Sequence, residues 1–208
     1  METRRVVVVS GGMGTPSSSR MLADQLGEAA RRQLERVDIH TDITTIELRE
    51  LAVDIANNMV TGFAPPALAD ALKSVADADA LIVVSPVFSG SYSGLLKSFF
   101  DVLDNTALDS MPVLIAATGG SVRHSLMLDH AMRPLFTYLR ARVVSTGVYA
   151  GPEYWGTGSD GAPALDQRVT RAAGELAGMI AGTTTARRPN SAQASLPFEQ
   201  LLAQVQGR

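Results

Sequence analysis

Val6-Val-Val-Val9 runs without interruption into Ser10-Gly-Gly-Met-Gly-Thr-Pro-Ser-Ser-Ser19, and apolar residues at helical spacing begin near Arg20. Four β-branched residues in a row suit a strand covered on both faces, since a strand with one wet face would alternate. That strand empties into a loop of small and hydroxyl residues at a helix start, where backbone N–H groups have no intrahelical acceptor. Such a loop reads as a phosphate cradle. A dinucleotide fingerprint needs a third small Gly and a P-loop needs Gly-Lys-Ser/Thr. Here Gly12-x-Gly14-x-x is completed by Ser17, and no lysine follows. The hydroxyls of Ser10, Thr15, Ser17, Ser18 and Ser19 suit a terminal phosphate monoester better than a bridging pyrophosphate. Without a ligand, the same residues would make a serine-rich turn with a plain N-cap.

Similar unbroken runs recur at Leu81 to Val84, Val113 to Ala117 and Val143 to Val148, with a weaker one at Ile43 to Leu48. Between them, helical spacing predicts helices near Ser19 to Arg36, Pro66 to Ala76, Ser93 to Leu103, Ser125 to Ala141 and Ala164 to Ile180. Five strands alternating with five helices predict a doubly wound α/β sheet over residues 1–183. Such sheets bind ligands outside the carboxyl ends of their strands, so the loops leaving strands one, three and four matter most. From residue 184 the chain reads as a polar linker, ending in the short apolar segment Leu196-Pro-Phe-Glu-Gln-Leu-Leu202. That tail is expected to dock either on its own domain or on a neighbouring subunit.

Composition excludes several classes. At 208 residues, 46% hydrophobic and 19% charged, the chain can bury one core and is not disordered. A net charge of −3 offers no general basic surface, so nucleic acid is not an expected partner. No apolar run reaches membrane-spanning length and the first residues do not form a secretory segment, so a cytoplasmic protein with no membrane association is expected. With no cysteine, thiolate and Cys-based metal chemistry are excluded. His40, His124 and His130 have no i, i+4 pairing, so no metal site is expected. Redox chemistry would need a bound cofactor.

The third strand leads into Ser85-Pro-Val-Phe-Ser-Gly-Ser-Tyr-Ser-Gly-Leu-Leu-Lys97. Pro86 is expected to stop the strand, Gly90 to let the backbone approach a flat ligand, and Ser91 or Ser93 to cap the next helix. After the fourth strand, Ala117-Thr-Gly-Gly-Ser121 again places small residues and exposed amides at a carboxyl end. Two such loops beside a phosphate cradle could hold a planar ring by its edge and face. A serine hydrolase would need Gly-x-Ser-x-Gly, which neither Gly119-x-Ser121 nor the region of Ser91 and Ser93 completes. Pro134 lies inside the helix expected over Ser125 to Ala141, where its ring would clash with the carbonyl of His130. A π-bulge at His130 would relieve that clash.

In the segments at 85 to 97, 117 to 124 (Ala-Thr-Gly-Gly-Ser-Val-Arg-His) and 129 to 136 (Asp-His-Ala-Met-Arg-Pro-Leu-Phe), the chain resembles the NADPH-dependent FMN reductases of the flavodoxin-like superfamily. Within that superfamily it is most similar to the reductases that partner two-component sulfonate monooxygenases. The resemblance covers roughly residues 4 to 150. It implies a flavodoxin-like five-stranded parallel sheet of order 2-1-3-4-5, FMN as the flavin, and NADPH or NADH as hydride donor. It further implies that Pro86, Val87, Phe88, Ser89, Gly90 and Ser91 line the ring and ribityl side, and that Thr118, Gly119, Gly120 and Ser121 meet the ring's polar edge. The first loop departs from the family's usual Gly-Ser-x-Arg form, because its arginine is displaced to Arg20. Ser17 and Ser19 are therefore better placed for phosphate than Arg20. In the resembling reductases the helix carrying His130 lies at a subunit interface, which implies a homodimer or homotetramer.

The chemistry so implied is hydride transfer from nicotinamide to flavin N5, with reduced FMN released to a partner monooxygenase. No catalytic acid or base is required, since the flavin carries the reaction. A variant keeps FMN bound and reduces quinones, azo dyes or metal oxyanions. A flavodoxin-type electron carrier is the non-enzymatic alternative; such carriers hold flavin between large aromatics and are strongly acidic, whereas this chain offers mainly Phe88. Arg123 is a possible contact for a nicotinamide 2′-phosphate or a solvated loop residue. Tyr154 and Trp155 either close over the site or pack on a neighbour.

Overall fold

The computed structural model describes residues 3–155 and 162–182, so the expected linker and tail lie outside the described residues. The elements are β1 (Thr3–Ser10), α1 (Ser18–Glu35), β2 (His40–Glu47), α2 (Ala52–Thr61), α3 (Pro66–Ala76), β3 (Ala80–Phe88), β4 (Ser91–Tyr92), α4 (Gly94–Asp101), β5 (Pro112–Thr118), α5 (Arg133–Tyr138), β6 (Arg142–Val143), β7 (Val148–Ala150) and α6 (Ala162–Ala181). The strands run in the order β2-β1-β3-β5, with β6 and β7 sharing the fifth position beside β5, all parallel. This is the doubly wound, flavodoxin-like arrangement.

The valine run has its physical explanation in two cores. Val7 and Val9 face the cluster built with α2 to α5 (Ile55, Leu68, Leu96, Phe99, Phe136), while Val6 and Val8 face the cluster built with α1 and α6 (Leu22, Leu26, Ala173, Leu176). Both faces of β1, β3 and β5 are dry, and every residue of β5 is buried. The register sets Ser10 beside Val84 and Pro86 beside Thr118, which brings the carboxyl ends of the three central strands to one edge.

Four expectations are corrected. Pro86 does not stop β3, which continues to Phe88 and turns back as β4, pairing Val87 with Tyr92 and Phe88 with Ser91. The fifth strand is broken: three steps along β5, from Val113 to Ala116, are matched by five from Val143 to Val148. The extra residues are held from outside the sheet. Thr146 donates from its N–H and hydroxyl to the Glu175 carboxylate of α6 at 2.8 and 2.6 Å, and Arg133 donates to the Val144 and Ser145 carbonyls at 2.8 and 3.0 Å. Helix α2 was not expected from the sequence, because it buries only Ile55 and so carries no apolar stripe; Gly62, at φ 70°, ends it.

Last, the segment expected as one helix over Ser125 to Ala141 is a 3₁₀ turn at Val122–His124, a π-turn at Leu128–Met132 and α5. The widened turn contains His130, with Arg133 N–H reaching back to the Leu128 carbonyl, and Pro134 enters in the first turn of α5, where its missing donor costs little. The π-turn and α5 are anchored by Met132 and Phe136, both fully buried; Phe136 meets Phe100 edge-to-face at 4.9 Å between centroids. Phe136→Ala should therefore lower unfolding free energy by about 3–5 kcal/mol in urea denaturation, and a loss under about 1 kcal/mol would show that this ring does not anchor the segment.

Candidate functional site

The loop after β1 closes over backbone. Gly11 N–H donates to the Val84 carbonyl at 2.8 Å, tying the end of β1 to β3, and a Cβ on Gly11 would stand 3.2 Å from Ser93 Oγ. Ser17 is the N-cap of α1, with extended backbone and its Oγ accepting from Arg20 N–H at 3.2 Å. Its own O–H proton remains to be donated. A Cβ on Gly12 would collide with Ser17 Oγ, so glycine there is what lets the capping hydroxyl fold over the loop. The amides of Ser18 and Ser19 fall in the first turn, which has no intrahelical acceptors. Ser10 and Ser19 are buried; Thr15 and Ser18 are exposed.

Arg20 does not face this cradle alone. Its guanidinium bonds Asp24 at 2.8 Å and Glu47 at 2.5 Å, and the Asp24 hydrogen bond, followed by Asp24 and Glu47 charge, pushes its pKa further up. Glu47 also pairs with Arg49, at 3.2 Å from Nε. That Nε–H is buried and not aligned on the carboxylate, so the contact is an ion pair rather than a hydrogen bond. The far end of Arg49 donates to the Gly14 carbonyl at 3.3 Å and to Thr15 Oγ1.

The β3–β4 hairpin turns on Ser89 and Gly90, both with positive φ (49° and 78°), the geometry of a tight two-residue turn that matches strand twist. Gly90 thus serves the turn, and the close approach to a ligand expected of it is not needed to explain it. Ser85, fully buried, accepts from Ser93 N–H at 2.9 Å, and Ser93 caps α4 through Leu96 N–H at 3.2 Å. These bonds seat the hairpin on the start of α4, leaving Phe88 half exposed at its end and Pro86, Val87 and Ser91 partly buried.

The loop after β5 is linked to the cradle by a buried hydroxyl pair, Ser19 Oγ to Thr118 Oγ1 at 2.7 Å. Gly119 N–H donates to the Ala150 carbonyl at 3.2 Å. Tyr149, buried on β7, then donates its O–H to the Ser121 carbonyl at 2.5 Å, and its phenolic oxygen occupies the space a Cβ on Gly119 would need. Burial, and secondarily the Glu153 carboxylate, push the Tyr149 phenol up, which keeps it a donor through the physiological range.

The three loops expected to carry the site are therefore brought together by Gly11–Val84, Ser19–Thr118 and Ser85–Ser93 contacts. Arg123 and His124 lie exposed in the 3₁₀ turn beyond Ser121. Tyr154 and Trp155 pack against the core beneath α1 and α6, so they pack on their own domain. Sequence reasoning missed Tyr149, Glu47 and Arg49. Tyr149 sits at the end of the broken fifth strand, a position the sequence marks only by Gly151 two residues on; Glu47 ends the weakest strand and Arg49 follows it, where nothing in the sequence singles them out. Among the described residues there is no cluster of His, Asp or Glu able to hold a metal ion, and no helix long and apolar enough to cross a membrane.

The sheet order and the three loops at one edge define a flavodoxin-like α/β fold, and that edge is the topological switch point where such sheets bind ligands. The family described as NADPH-dependent FMN reductase matches residues 4–156, and the chain belongs to that family. It is 38% identical over 167 residues to the NADH-dependent FMN reductase SfnF of Pseudomonas putida, covering 80% of this chain and 88% of that one. It is also 42% identical over 146 residues to an FMN reductase (NADPH) of Pseudomonas aeruginosa, covering 70% and 76%. Among solved structures, an oxidoreductase from Corynebacterium diphtheriae is 43% identical with a TM-score of 0.84, over 88% of this chain and 100% of that one. The protein is thus an oxidoreductase that uses FMN with NAD(P)H.

The loops fit that group: short hydroxyls and free amides for a phosphate, glycine-backed main chain for a ring edge. Because Gly119 leaves room for the Tyr149 oxygen, Gly119→Ala should weaken FMN binding about tenfold or more, and Tyr149→Phe in the same chain should restore part of it by vacating that space. Flavin fluorescence titration reads both. Unchanged affinity in the single variant would separate this loop from the flavin.

Proposed function

We propose that this protein takes FMN as an exchangeable substrate, reduces it with NAD(P)H and passes the reduced flavin to a flavin-dependent monooxygenase in the cytoplasm. The observation that carries this reading is how little the three loops offer to grip the ring. Phe88 is the exposed aromatic among them, 49% open, while Tyr92 is half buried and Tyr149 is turned away onto Ser121. A carrier that keeps its flavin sandwiches it between large aromatics, and a ring held chiefly by main chain and one edge leaves more readily.

Bound at this edge, FMN would supply the hydride acceptor, its N5, for a nicotinamide donor. The chain's own part is orientation. Ser17, Ser18 and the amides at the start of α1 would hold the phosphate. Residues Pro86 to Ser91 would carry the ring and ribityl side. The Gly119 amide is taken by Ala150, so the amides of Gly120 and Ser121, in the loop fixed by Tyr149, would meet the polar edge, where donors favour a negatively charged ring. Purified protein given FMN should consume NADPH or NADH, followed at the nicotinamide absorbance, and should lose flavin on desalting. Flavin retained through desalting, with turnover only when a quinone is added, would favour the bound-flavin variant instead.

The same reading includes self-association through the segment around His130. His130 is exposed on the π-turn, and Leu126 and Tyr138 on the flanking turns are 62% and 81% exposed. Apolar side chains bared next to an irregular turn support an interface between copies. Light scattering should give a dimer or tetramer, and His130→Asp should shift it toward monomer with the fold retained by circular dichroism; a wild-type monomer at tens of micromolar would end this assignment.

A further inference from the structure

We propose that Arg49, reaching in from the turn after β2, supplies the positive charge that the phosphate loop lacks. This rests on the reading that the FMN phosphate sits at the start of α1. From Ser10 to Ser19 there is no Lys, Arg or His, although the loop must meet a group carrying about −1.5 to −2 charge at neutral pH. Hydroxyls and amide N–H groups can donate hydrogen bonds to it but cannot balance its charge.

Arg20 follows the loop in sequence, yet its guanidinium is spent on Asp24 at 2.8 Å and Glu47 at 2.5 Å. Arg49 is differently disposed. Only its Nε edge meets an acid, the shared Glu47 at 3.2 Å, and that contact is not an aligned hydrogen bond. Its NH1 end crosses to the loop and holds the Gly14 carbonyl and the Thr15 hydroxyl, so the charged tip rests on the cradle's rim. The Arg49 side chain is 30% exposed, so the interaction is shielded from water in part but not wholly.

The geometry assigns Glu47 the role of anchor. By pairing with both arginines it fixes the Arg49 stem at 3.2 Å and leaves the planar fork free to turn from Thr15 Oγ1 toward an incoming phosphate. A guanidinium keeps its charge throughout the working pH range, so the contribution should not titrate with the protein. It should instead weaken with salt.

The test is titration of FMN and of riboflavin, by quenching of flavin fluorescence, at low and high ionic strength. In the full chain, Arg49→Gln should raise the Kd for FMN about tenfold to a hundredfold, the scale of one charge-assisted hydrogen bond, leave riboflavin within about twofold, and flatten the salt dependence of FMN binding. Arg49→Lys keeps the charge without the fork and should recover most of the loss. If Arg49→Gln weakens both flavins equally and Lys does not rescue, Arg49 merely braces the loop and the proposal is overturned; no effect on either flavin overturns it as well. Ser17→Ala, run in parallel, separates the two layers of the argument. Selective loss of FMN in Ser17→Ala with none in Arg49→Gln rejects Arg49 alone, whereas no selectivity in either variant places the phosphate elsewhere and rejects the underlying reading.

Discussion

Covering β1, β3 and β5 on both faces is the constraint from which the rest follows. Parallel strands buried this way give up their side chains to two cores, Val7 and Val9 to one and Val6 and Val8 to the other, and their buried middles, residues 6–9, 80–84 and 113–117, carry nothing polar. What polarity remains is pushed to the strand ends, where backbone amides emerge and helices begin. The register then does the rest: with Ser10 beside Val84 and Pro86 beside Thr118, three loops from distant parts of the chain meet at one edge. The FMN site proposed above lies there because this is where unpaired main chain is concentrated.

Small residues at that edge are explained by the atoms that lie over them. Gly12 admits the Ser17 hydroxyl, Gly11 admits Ser93, and Gly119 admits the Tyr149 phenol. Each closes a hydrogen bond that joins or shapes a loop: the N-cap of α1, the hairpin seated on α4, and the Ser121 carbonyl. The Ser19–Thr118 hydroxyl pair adds a direct tie between the first and third loops. Preorganisation of this kind suits the proposed role of orienting a flavin, since donors already in place cost no reordering when charge develops.

The charges around the cradle form a chain rather than isolated pairs. Asp24, Arg20, Glu47 and Arg49 alternate in sign across α1 and the turn after β2. Arg20–Asp24 is an exposed pair of a kind that contributes little to stability, and the two pairs on Glu47 are only partly buried. Their effect here is positional, because the chain fixes which arginine is occupied and which one reaches the loop.

The sequence by itself determined the class of fold and the three glycine- and hydroxyl-rich loops that meet at one sheet edge. Unbroken β-branched runs can only be satisfied by burial on both sides, and glycine and hydroxyl clusters at strand ends announce exposed main chain. Even the π-turn at His130 was legible, since Pro134 removes a donor from a specific turn. The continuation of β3 past Pro86 into a hairpin was not, because pairing with β4 depends on the positive φ of Ser89 and Gly90. Neither was α2, whose single buried side chain, Ile55, leaves no periodic pattern to read. The break in the fifth strand is stabilised by Glu175 and Arg133, residues that sequence spacing cannot connect to it. Tertiary structure alone decided that Tyr149 holds the 118–121 loop and that Arg49, rather than Arg20, leans on the loop after β1. Those roles depend on which side chains meet across the sheet, and such distances are set by packing, not by position along the chain.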